Sequence, residues 1–388
     1  MLAAESDLVF STVSTHARLA GLRDEWDALV RAMPRPSPFL LHGWIEAWAR
    51  HYVPDGDLRI QVAERGGKLV GAVPLYVRRR RGLRVAEFLG GDQAALADLL
   101  LSPHAPPGVA SRLAAAAAAG DHDLADLFGL SAQSRLAAAV EPGSLKLIER
   151  VEAPVLDLDA GWDTAYQAKT SSKRRNLHRR RLRQLSELGR LAWRVARTAD
   201  ELGPALEDAF GVHDLRWRGR PDGSRFATPT GRRFHREAIA ALAEQDIPRI
   251  VTLTLDGRPI AFHYYLAFAG RMYVHRLAFD PELARFSPGL LATLEAIRLA
   301  AGEGLQRVEY LGGDERYKLE LSDRLEPLHQ GLGLAGSARG RVAVAARLGT
   351  IVVRKRLKRS AALRRLYVDG LAPSRRLLAS LRSGRWAG

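Results

Sequence analysis

Two stretches of the chain share one pattern of apolar and polar positions. Residues 59–77 (RIQVAERGGKLVGAVPLYV) and 249–267 (RIVTLTLDGRPIAFHYYLA) each hold two apolar runs that meet at a turn. The second stretch begins 190 residues after the first (249 − 59 = 190). The turns are Gly66-Gly67 and Asp256-Gly257, and such dipeptides between apolar runs are typical of β-hairpins. The pattern predicts one hairpin in each half of the chain.

The agreement extends to both sides of the hairpins. Each half holds, in the same order, a strand, two helices, the hairpin, a further strand, a Pro-Gly loop, a helix and a last strand. In the first half we predict a strand at 8–13, helices at 19–30 and 44–51, the Pro107-Gly108 loop and a last strand at 124–128. The second half has their counterparts at 191–196, 201–215, 234–244, Pro288-Gly289 and 307–311. This shared order favours an internal repeat over chance similarity between two ordinary α/β domains.

We therefore predict an α/β protein of the α+β type, built from two tandem units. Each unit is expected to be a mixed sheet flanked by helices. The predicted divisions are an N-terminal unit (1–150), a connecting segment (151–190), a C-terminal unit (191–335) and a basic helical tail (336–388). A chain of 388 residues has the length of two or three domains.

Composition excludes several kinds of chemistry. The chain has no cysteine, which excludes disulfides, cysteine-ligated zinc, iron-sulfur clusters and thiol nucleophiles. The amino terminus does not resemble a signal peptide, and the longest apolar run, residues 342–353, is too short to span a bilayer and contains Arg347. We expect a cytoplasmic protein, with a peripheral place at the inner face of the membrane left open by the basic tail.

Positive charge is concentrated in two segments. The net charge is +16, and residues 339–388 hold 14 Lys and Arg against one acid, Asp369, which leaves +3 for the rest. Such a tail could bind an anionic membrane surface or RNA, or be a solvated helical appendage. The second segment, residues 169–183, holds eight cations and no acid, with leucines at helical spacing and Gly189 as a stop. We predict a basic amphipathic helix that contacts a ligand phosphate or an acidic substrate, with a merely solvated face as the alternative.

Sequence motifs exclude other activities. Residues 331–336 (GLGLAG) match GxGxxG, but the acid that would hold a ribose about 20 residues later is missing. The chain has no GxxxxGK[ST], HExxH or GxSxG motif. We expect no nicotinamide, flavin or metal cofactor.

The strongest candidate site follows the predicted strand at 272–278. Ser287 is expected to cap a helix that begins at Pro288, with Arg285 just before it. A helix start beside an arginine suits an anion. Beyond the helix and one more strand comes the run Gly312-Gly313-Asp314-Glu315-Arg316-Tyr317-Lys318, which supplies an acid, a base and a cation close together. The alternative is a capped helix and a solvated turn without a ligand.

These residues resemble a known family. The order of elements is similar to the GNAT N-acyltransferase fold. Further likeness lies in residues 173–188, the segment of Trp217 and Phe226, residues 256–261 (DGRPIA), Ser287-Pro288-Gly289, and residues 313–318 (GDERYK). Together they resemble the acetyltransferases associated with cellulose and exopolysaccharide biosynthesis, relatives of the Fem aminoacyltransferases. The resemblance covers about residues 8–330.

The resemblance implies roles for particular residues. Acyl-CoA, as co-substrate, would place its pyrophosphate on the helix start, at Arg285, Ser287, Gly289 and Leu290. Tyr317 would protonate the leaving thiolate, with Glu315, Asp314 or His275 as base and Lys318 as an electrostatic or anchoring group. His275 could instead be a structural core histidine. Lys173, Arg174, Arg175 and Trp217 would contact the substrate. In the N-terminal unit the corresponding loop, residues 101–108, holds three prolines and no arginine. We therefore expect that unit to be degenerate and to contribute substrate contacts and scaffold.

Three functions follow as hypotheses. The first is a direct acyl transfer, most simply of acetyl, from acyl-CoA to an amine or hydroxyl of a sugar or cell-envelope polysaccharide precursor. The usual GNAT phosphate loop, [QR]xxGx[GA], is altered here because Arg285 is followed by Phe286, Ser287 and Pro288. That difference keeps a second hypothesis open, a Fem-like transfer from aminoacyl-tRNA. The third is a non-catalytic basic adaptor with a vestigial acyl site.

Overall fold

The structure is a computed structural model that describes residues 7–80, 82–218, 224–312, 315–333 and 338–359, with side chains of the last helix described to Val353. The strands are β1 (Leu8–Val13), β2 (Ile60–Arg65), β3 (Lys68–Val73), β4 (Leu75–Arg80), β5 (Leu83–Phe88), β6 (Leu100–Leu101), β7 (Leu124–Ser131), β8 (Leu145–Asp157), β9 (Leu191–Ala196), β10 (Pro248–Leu255), β11 (Arg258–Phe268), β12 (Arg271–Phe279), β13 (Arg307–Glu309) and β14 (Arg324–Gly333). The helices are α1 (His16–Ala20), α2 (Arg23–Arg31), α3 (His42–Tyr52), α4 (Val109–Ala119), α5 (Arg135–Ala139), α6 (Trp162–Lys169), α7 (Ser172–Ser186), α8 (Ala199–Trp217), α9 (Pro229–Ala243), α10 (Pro288–Gly302), α11 (Arg316–Glu320) and α12 (Ala338–Arg359).

Both predicted hairpins are present. β2 pairs antiparallel with β3, and β10 with β11. The residues at the two turns have positive φ, 58° and 74° at Gly66 and Gly67, and 50° and 80° at Asp256 and Gly257. Two successive positive φ angles match the twist of a two-residue hairpin, and glycine adopts them without a steric cost. The dipeptides that marked the turns in the sequence therefore also explain their geometry.

The strands form two sheets. A four-stranded antiparallel sheet has the order β1-β2-β3-β6, and a ten-stranded mixed sheet has the order β4-β5-β7-β14-β8-β13-β12-β11-β10-β9. Alternate residues of β10 and β11 face opposite sides of the large sheet. Ile250 and Phe262 pack with residues of α8 and α9, whereas Val251 packs with residues of α10. The predicted fold class, mixed sheets flanked by helices, is confirmed.

The repeat is visible in the parallel strand pairs. In the N-terminal unit β5 runs parallel to β7, and α4 lies between them in sequence. In the C-terminal unit β12 runs parallel to β13, and α10 lies between them. Each is the only parallel pairing of its unit within the described residues.

The two units exchange strands at the middle of the large sheet. β8 pairs with β13 of the C-terminal unit, with Leu156 opposite Val308. β14 pairs with β7 of the N-terminal unit, with Leu332 opposite Asp126. β8 and β14 also pair with each other, which makes the sheet continuous across both units. The predicted division at residue 150 lies inside β8.

Some local predictions differ from the structure. The helix expected at 19–30 is two helices, α1 and α2, because the chain turns at Gly21 and Leu22. The basic helix α7 ends at Ser186 with Glu187 as its C-cap, so Leu188 lies outside it and is exposed. None of the described helices has the length and hydrophobicity needed to cross a membrane.

Candidate functional site

The site lies where β12 and β13 separate. The two strands pair over only three positions, from Arg271 opposite Arg307 to Tyr273 opposite Glu309. Beyond them β12 continues, whereas the chain after β13 turns away through Leu311, a non-glycine residue with φ of 68°. The gap opens into a cavity of about 720 Å³, called here the main cavity.

Both units line the main cavity. The C-terminal unit supplies the second half of β12, residues 310–312 and the start of α11. The N-terminal unit supplies Phe39, Asp92, Gln93, Ala95 and Phe128, and Val151 comes from β8. Residues of both units therefore form the wall of the cavity.

His275 occupies a β-bulge at the cavity. Arg276 pairs with Tyr264 and Val274 pairs with Tyr265, which leaves His275 as an extra residue of β12. Bulges redirect a side chain and are common beside active sites. The imidazole packs against Trp44 and His235, with ring centroids 5.0 Å and 5.1 Å away. Its Nε2 has no hydrogen-bond partner among the described residues.

Burial controls the charge of His275. Removal from water, followed by the nearby Arg276 guanidinium, holds the pKa of His275 well below its ordinary value. The imidazole is therefore neutral at physiological pH and has a ring nitrogen free to accept a proton. This position is compatible with the predicted role of base and also with a buried aromatic contact.

Tyr317 lines the main cavity with an unpartnered hydroxyl. No described residue hydrogen-bonds its phenol oxygen. Burial, and to a lesser degree the Glu315 carboxylate, raises the pKa of Tyr317 far above its ordinary value. The phenol therefore keeps its proton at physiological pH, which is the state that a general acid requires.

Lys318 is tied to its surroundings. Its ammonium donates to the carbonyl oxygen of Gly312 at 2.5 Å and lies 3.0 Å from a carboxylate oxygen of Glu315. Lys318 is buried, whereas the Glu315 side chain is 56% exposed. Four predicted catalytic residues, His275, Glu315, Tyr317 and Lys318, thus share one cavity. Asp314 lies outside the described residues.

A second cavity adjoins the first at Tyr317. Its volume is about 260 Å³, and it is called here the basic cavity because α7 lines it with Arg174, His178 and Arg181. α10 contributes Leu290, and α11 contributes Arg316 and Tyr317. Tyr317 lines both cavities, so a ligand reaching from one to the other would pass this residue.

Counter-charges for the basic helix come from beyond α10. Arg174 makes two contacts with the Glu320 carboxylate, at 2.7 Å and 2.8 Å, and Lys169 pairs with Asp323. The segment holds no acid of its own, and acids distant in sequence fold against it. Five of its cations have no carboxylate partner in the parts of the chain that are described, namely Lys173, Arg175, Arg179, Arg180 and Arg181. Arg175 instead donates to the carbonyl oxygens of Gln167 and Thr170.

The helix start of α10 differs from its predicted form. Ser287 is the N-cap residue, but with φ of 54° and ψ of 49° its side chain caps no backbone N–H, so the predicted side-chain cap is wrong. Pro288 does occupy the first turn. Gly289 packs so tightly that an added Cβ would lie 2.7 Å from Phe279. Arg285 is exposed and lies over the ring of Phe286 at 4.5 Å. Of the four predicted donor-binding residues, Leu290 lines a cavity.

Two site residues had not been predicted. Arg276 follows the bulge, and its guanidinium donates to the amide oxygen of Gln93 at 2.6 Å. Both line the main cavity, as does Trp217. An arginine inside an otherwise apolar strand was the available sequence signal for Arg276, whereas nothing local marked Gln93. No group of three or more His, Asp and Glu side chains within the described ranges could hold a metal ion.

Part of the chain that forms this site matches a known family. Residues 172–319 match the model of the family described as "Acetyltransferase (GNAT) domain". This segment is similar to a GNAT acetyltransferase domain. It runs from α7 to Leu319, and it includes both the basic helix and the strands that form the gap. The comparison with curated proteins found no match.

Solved structures agree with the GNAT fold of the chain. One is the C-terminal DUF2156 domain of a protein from Agrobacterium fabrum named as a lysylphosphatidylglycerol synthetase, with a TM-score of 0.54 at 15% identity, covering 85% of this chain and 97% of that one. L-PGS from Bacillus licheniformis has a TM-score of 0.53 at 13% identity, covering 84% and 96%. FemX has a TM-score of 0.51 at 12% identity, covering 79% and 95%. At such identities the likeness concerns the fold.

Proposed function

We propose that this protein transfers an acyl group, most simply acetyl, from acyl-CoA to an amine or hydroxyl of a sugar or cell-envelope polysaccharide precursor. The observation that carries the proposal is the position of Tyr317, a protonated and unpartnered phenol where the basic cavity meets the main cavity. A donor held in one cavity and an acceptor held in the other would meet beside it.

The residues of the basic cavity fit the donor. Arg181, without a carboxylate partner in the described part of the chain, and Arg174 suit the phosphates of coenzyme A. Among the described residues, the backbone of β12 beyond Tyr273 has no strand on the β13 side. Its open edge suits the amides of the pantetheine arm, which would hydrogen-bond as an added strand does.

Two residues of the chain would move protons in the reaction. When bound, acyl-CoA supplies the acyl group as a thioester and a thiolate as leaving group. The Tyr317 hydroxyl would donate its proton to the departing sulfur, and the neutral Nε2 of His275 would accept the proton that the acceptor loses. Glu315 is the weaker candidate for the base because its carboxylate is paired with Lys318. Lys318 supplies positive charge to the cavity wall and fixes the backbone at Gly312.

A titration tests the donor. A ligand that binds the folded protein alone raises its melting temperature, so acetyl-CoA and longer acyl-CoAs should each be titrated in a thermal-shift assay. We expect a saturable rise that is weakened in Arg181→Ala and retained in Arg298→Gln, a matched loss of one positive charge on the exposed side of α10. Release of free thiol in the presence of glucosamine then tests transfer. A flat titration with every thioester would refute acyl-CoA as donor.

One observation favours a second candidate, transfer from aminoacyl-tRNA. Lys173 and Arg180 of α7 are exposed, have no carboxylate partner in the described ranges and lie on the same helix as the basic cavity. RNA backbones bind through such cations. Repeating the titration with charged tRNA separates the two donors, because a response to tRNA together with none to thioesters would favour this candidate.

A further inference from the structure

Arg276 brings an unpaired positive charge to the main cavity. Its Nη1 donates to the carbonyl oxygen of His275 at 2.8 Å, and its Nη2 donates to Gln93 Oε1 at 2.6 Å. Its Nε has no hydrogen-bond partner among the described residues. No carboxylate of the described chain lies within the 4.0 Å of an ion pair. Both partners of the guanidinium are therefore neutral oxygens.

The neighbours of Arg276 do not neutralise it. Burial holds the pKa values of His235 and His275 well below their ordinary range, so both rings are uncharged. Asp92 is the carboxylate whose charge acts most strongly on Arg276, but it lies 3.4 Å from the guanidinium of Arg225. The Glu315 carboxylate on the far wall is paired with Lys318.

An uncompensated guanidinium in a low-dielectric cavity is costly unless an anion joins it. Gln93 is buried and comes from the N-terminal unit. Its amide oxygen accepts a hydrogen bond from Nη2 of Arg276 and so holds the guanidinium in position. A fixed guanidinium with a free donor suits a carboxylate or a phosphate, which accept two hydrogen bonds in one plane. Arg276 thus has the properties of a receptor for a ligand anion.

We propose that Arg276, held by Gln93, binds a carboxylate or phosphate on the molecule that receives the acyl group. The identity of that molecule as the acyl acceptor rests on the proposed function, whereas anion binding does not. The acceptor is then an amine or alcohol that also carries an anionic group. Its nucleophile would lie near His275, because His275 and Arg276 are consecutive residues on the cavity wall.

Binding of three related amino sugars, without any donor, tests this assignment. Glucosamine, glucosamine 6-phosphate and muramic acid share the amino sugar and differ in carrying no anion, a phosphate or a carboxylate. Calorimetry should show one or both anionic sugars binding about 10- to 100-fold tighter than glucosamine, the range of one charge-assisted contact. The anionic sugar that binds more tightly shows whether the site prefers a phosphate or a carboxylate.

Variants test whether Arg276 is responsible for the tighter binding of the anionic sugars. Arg276→Gln should lose the preference for the anionic sugar, and Gln93→Leu should weaken it while keeping the charge. Arg298→Gln, which removes an exposed charge elsewhere, should keep it. Equal affinities for all three sugars in the wild type, or an undiminished preference in Arg276→Gln, would overturn the assignment. If anionic sugars bind through Arg276 while every thioester titration stays flat, the proposed donor fails and the anion site stands.

The outer face of α12 carries a second, independent feature. Val344 and Ile351 of its inner face pack with Val85 and Leu332, and Arg347 bonds to Asp126 at 2.8 Å, which fixes the rotation of the helix. The outer face presents Val342, Val352 and Val353, which are 69%, 48% and 54% exposed. Ala345, Ala346 and Gly349 connect them, so the apolar stripe extends along the helix.

The charge around this stripe identifies its partner. Residues 339–388 carry a net charge of +13 in sequence. An exposed apolar stripe within so basic a segment matches an anionic bilayer, which offers apolar and negatively charged layers together. RNA would use the cations and leave the valines exposed, and two like copies would repel each other. We infer that the outer face of α12 rests on an anionic membrane surface.

Vesicle sedimentation with the full chain tests this inference. The protein should pellet with vesicles of phosphatidylcholine and phosphatidylglycerol and stay in solution with phosphatidylcholine alone. Joint replacement Val342→Asp and Val352→Asp should weaken binding about tenfold or more, whereas Val9→Asp on β1, also an exposed valine, should not. Equal binding of both variants to the vesicles would overturn the inference. Binding of the protein to RNA without binding to vesicles would also overturn it.

Discussion

Arg35 Nη2 lies 2.6 Å from Glu309 Oε2, although 274 residues separate them in sequence. Arg35 comes from the N-terminal unit, and Glu309 ends β13 at the point where the main cavity begins. Both side chains are almost fully buried. Arg271 and Arg307 also contact the Glu309 carboxylate, at 2.8 Å and 3.1 Å. One carboxylate therefore anchors three arginines from both units at the base of the site.

Glu309→Gln should destabilise the protein strongly. The substitution keeps the shape of the side chain but removes the negative charge that three arginines share. Removing one partner of a buried ion pair costs about 3–5 kcal/mol, and the lower end of that range is expected because Arg35 keeps a contact of 3.0 Å with the Glu326 carboxylate. Urea denaturation should show this loss in the free energy of unfolding. Glu295→Gln breaks the exposed pair with Arg298 and should cost less than about 1 kcal/mol. Similar losses in both variants would mean that Glu309 is not an anchor.

Tyr317→Phe should slow acyl transfer by about 100- to 10,000-fold, the range of a lost general acid. The melting temperature and the affinity for acetyl-CoA should change little, because the hydroxyl has no partner to lose in the described structure. Tyr265→Phe is the matched control, since it removes another buried and unpartnered hydroxyl away from both cavities. Full turnover in Tyr317→Phe would exclude its role as acid.

Arg181→Ala should weaken acetyl-CoA binding more than Arg285→Ala. Arg181 lines the basic cavity, whereas Arg285 lies exposed on the ring of Phe286. Loss of a charge-assisted phosphate contact corresponds to about a tenfold or larger rise in the dissociation constant. Calorimetry on both variants measures the difference. A larger effect of Arg285→Ala would instead indicate that the donor phosphates bind at the start of α10.

Acid should destabilise the protein through its buried histidines. Burial, and then the Lys318 charge, lowers the pKa of His263 to about 3, while the ordinary value near 6.5 applies when the chain is unfolded. The unfolded state therefore binds the proton more readily. The stabilising contribution of the neutral ring is complete above about pH 6.5 and is lost as the pH falls toward 3.

His263→Phe should flatten this dependence. Between pH 6 and pH 4.5 the slope of the unfolding free energy should fall by up to about 1.4 kcal/mol per pH unit, which corresponds to one proton. Urea denaturation at several pH values measures both slopes. An unchanged slope would show that His263 is not protonated on unfolding.

The local elements were largely predictable from the sequence. The strands at residues 8–13 and 191–196 have the predicted bounds, and the two glycine turns lie where expected, because alternation and turn dipeptides are short-range signals. Tyr317, Glu315, Lys318 and His275 line one cavity, and their catalytic roles stay a prediction. These residues were found because they follow elements that the sequence itself marks.

Long-range relationships were not predictable in the same way. Gln93 and Arg276 are 183 residues apart, and neither belongs to a motif. The bulge at His275 shifts the register by one residue without a glycine or proline to mark it. The side-chain cap at Ser287 failed because the preceding 3₁₀ turn forces a left-handed backbone there. The pairing of β8 with β13 depends on which strand edges remain unpaired in the folded units, and the local sequence does not contain that information.

That strand exchange sets the order in which the chain can fold during synthesis. Leu156 of β8 leaves the ribosome about 150 residues before its partner Val308 (308 − 156 = 152). At translation rates of about 5–20 residues per second, β8 waits about 8–30 s with both edges unpaired, because its two neighbours in the sheet, β13 and β14, are synthesised later. An unpaired apolar edge invites association with other chains. We therefore expect that the N-terminal unit needs a chaperone, or completes its folding slowly, until β13 and β14 are synthesised and complete the sheet.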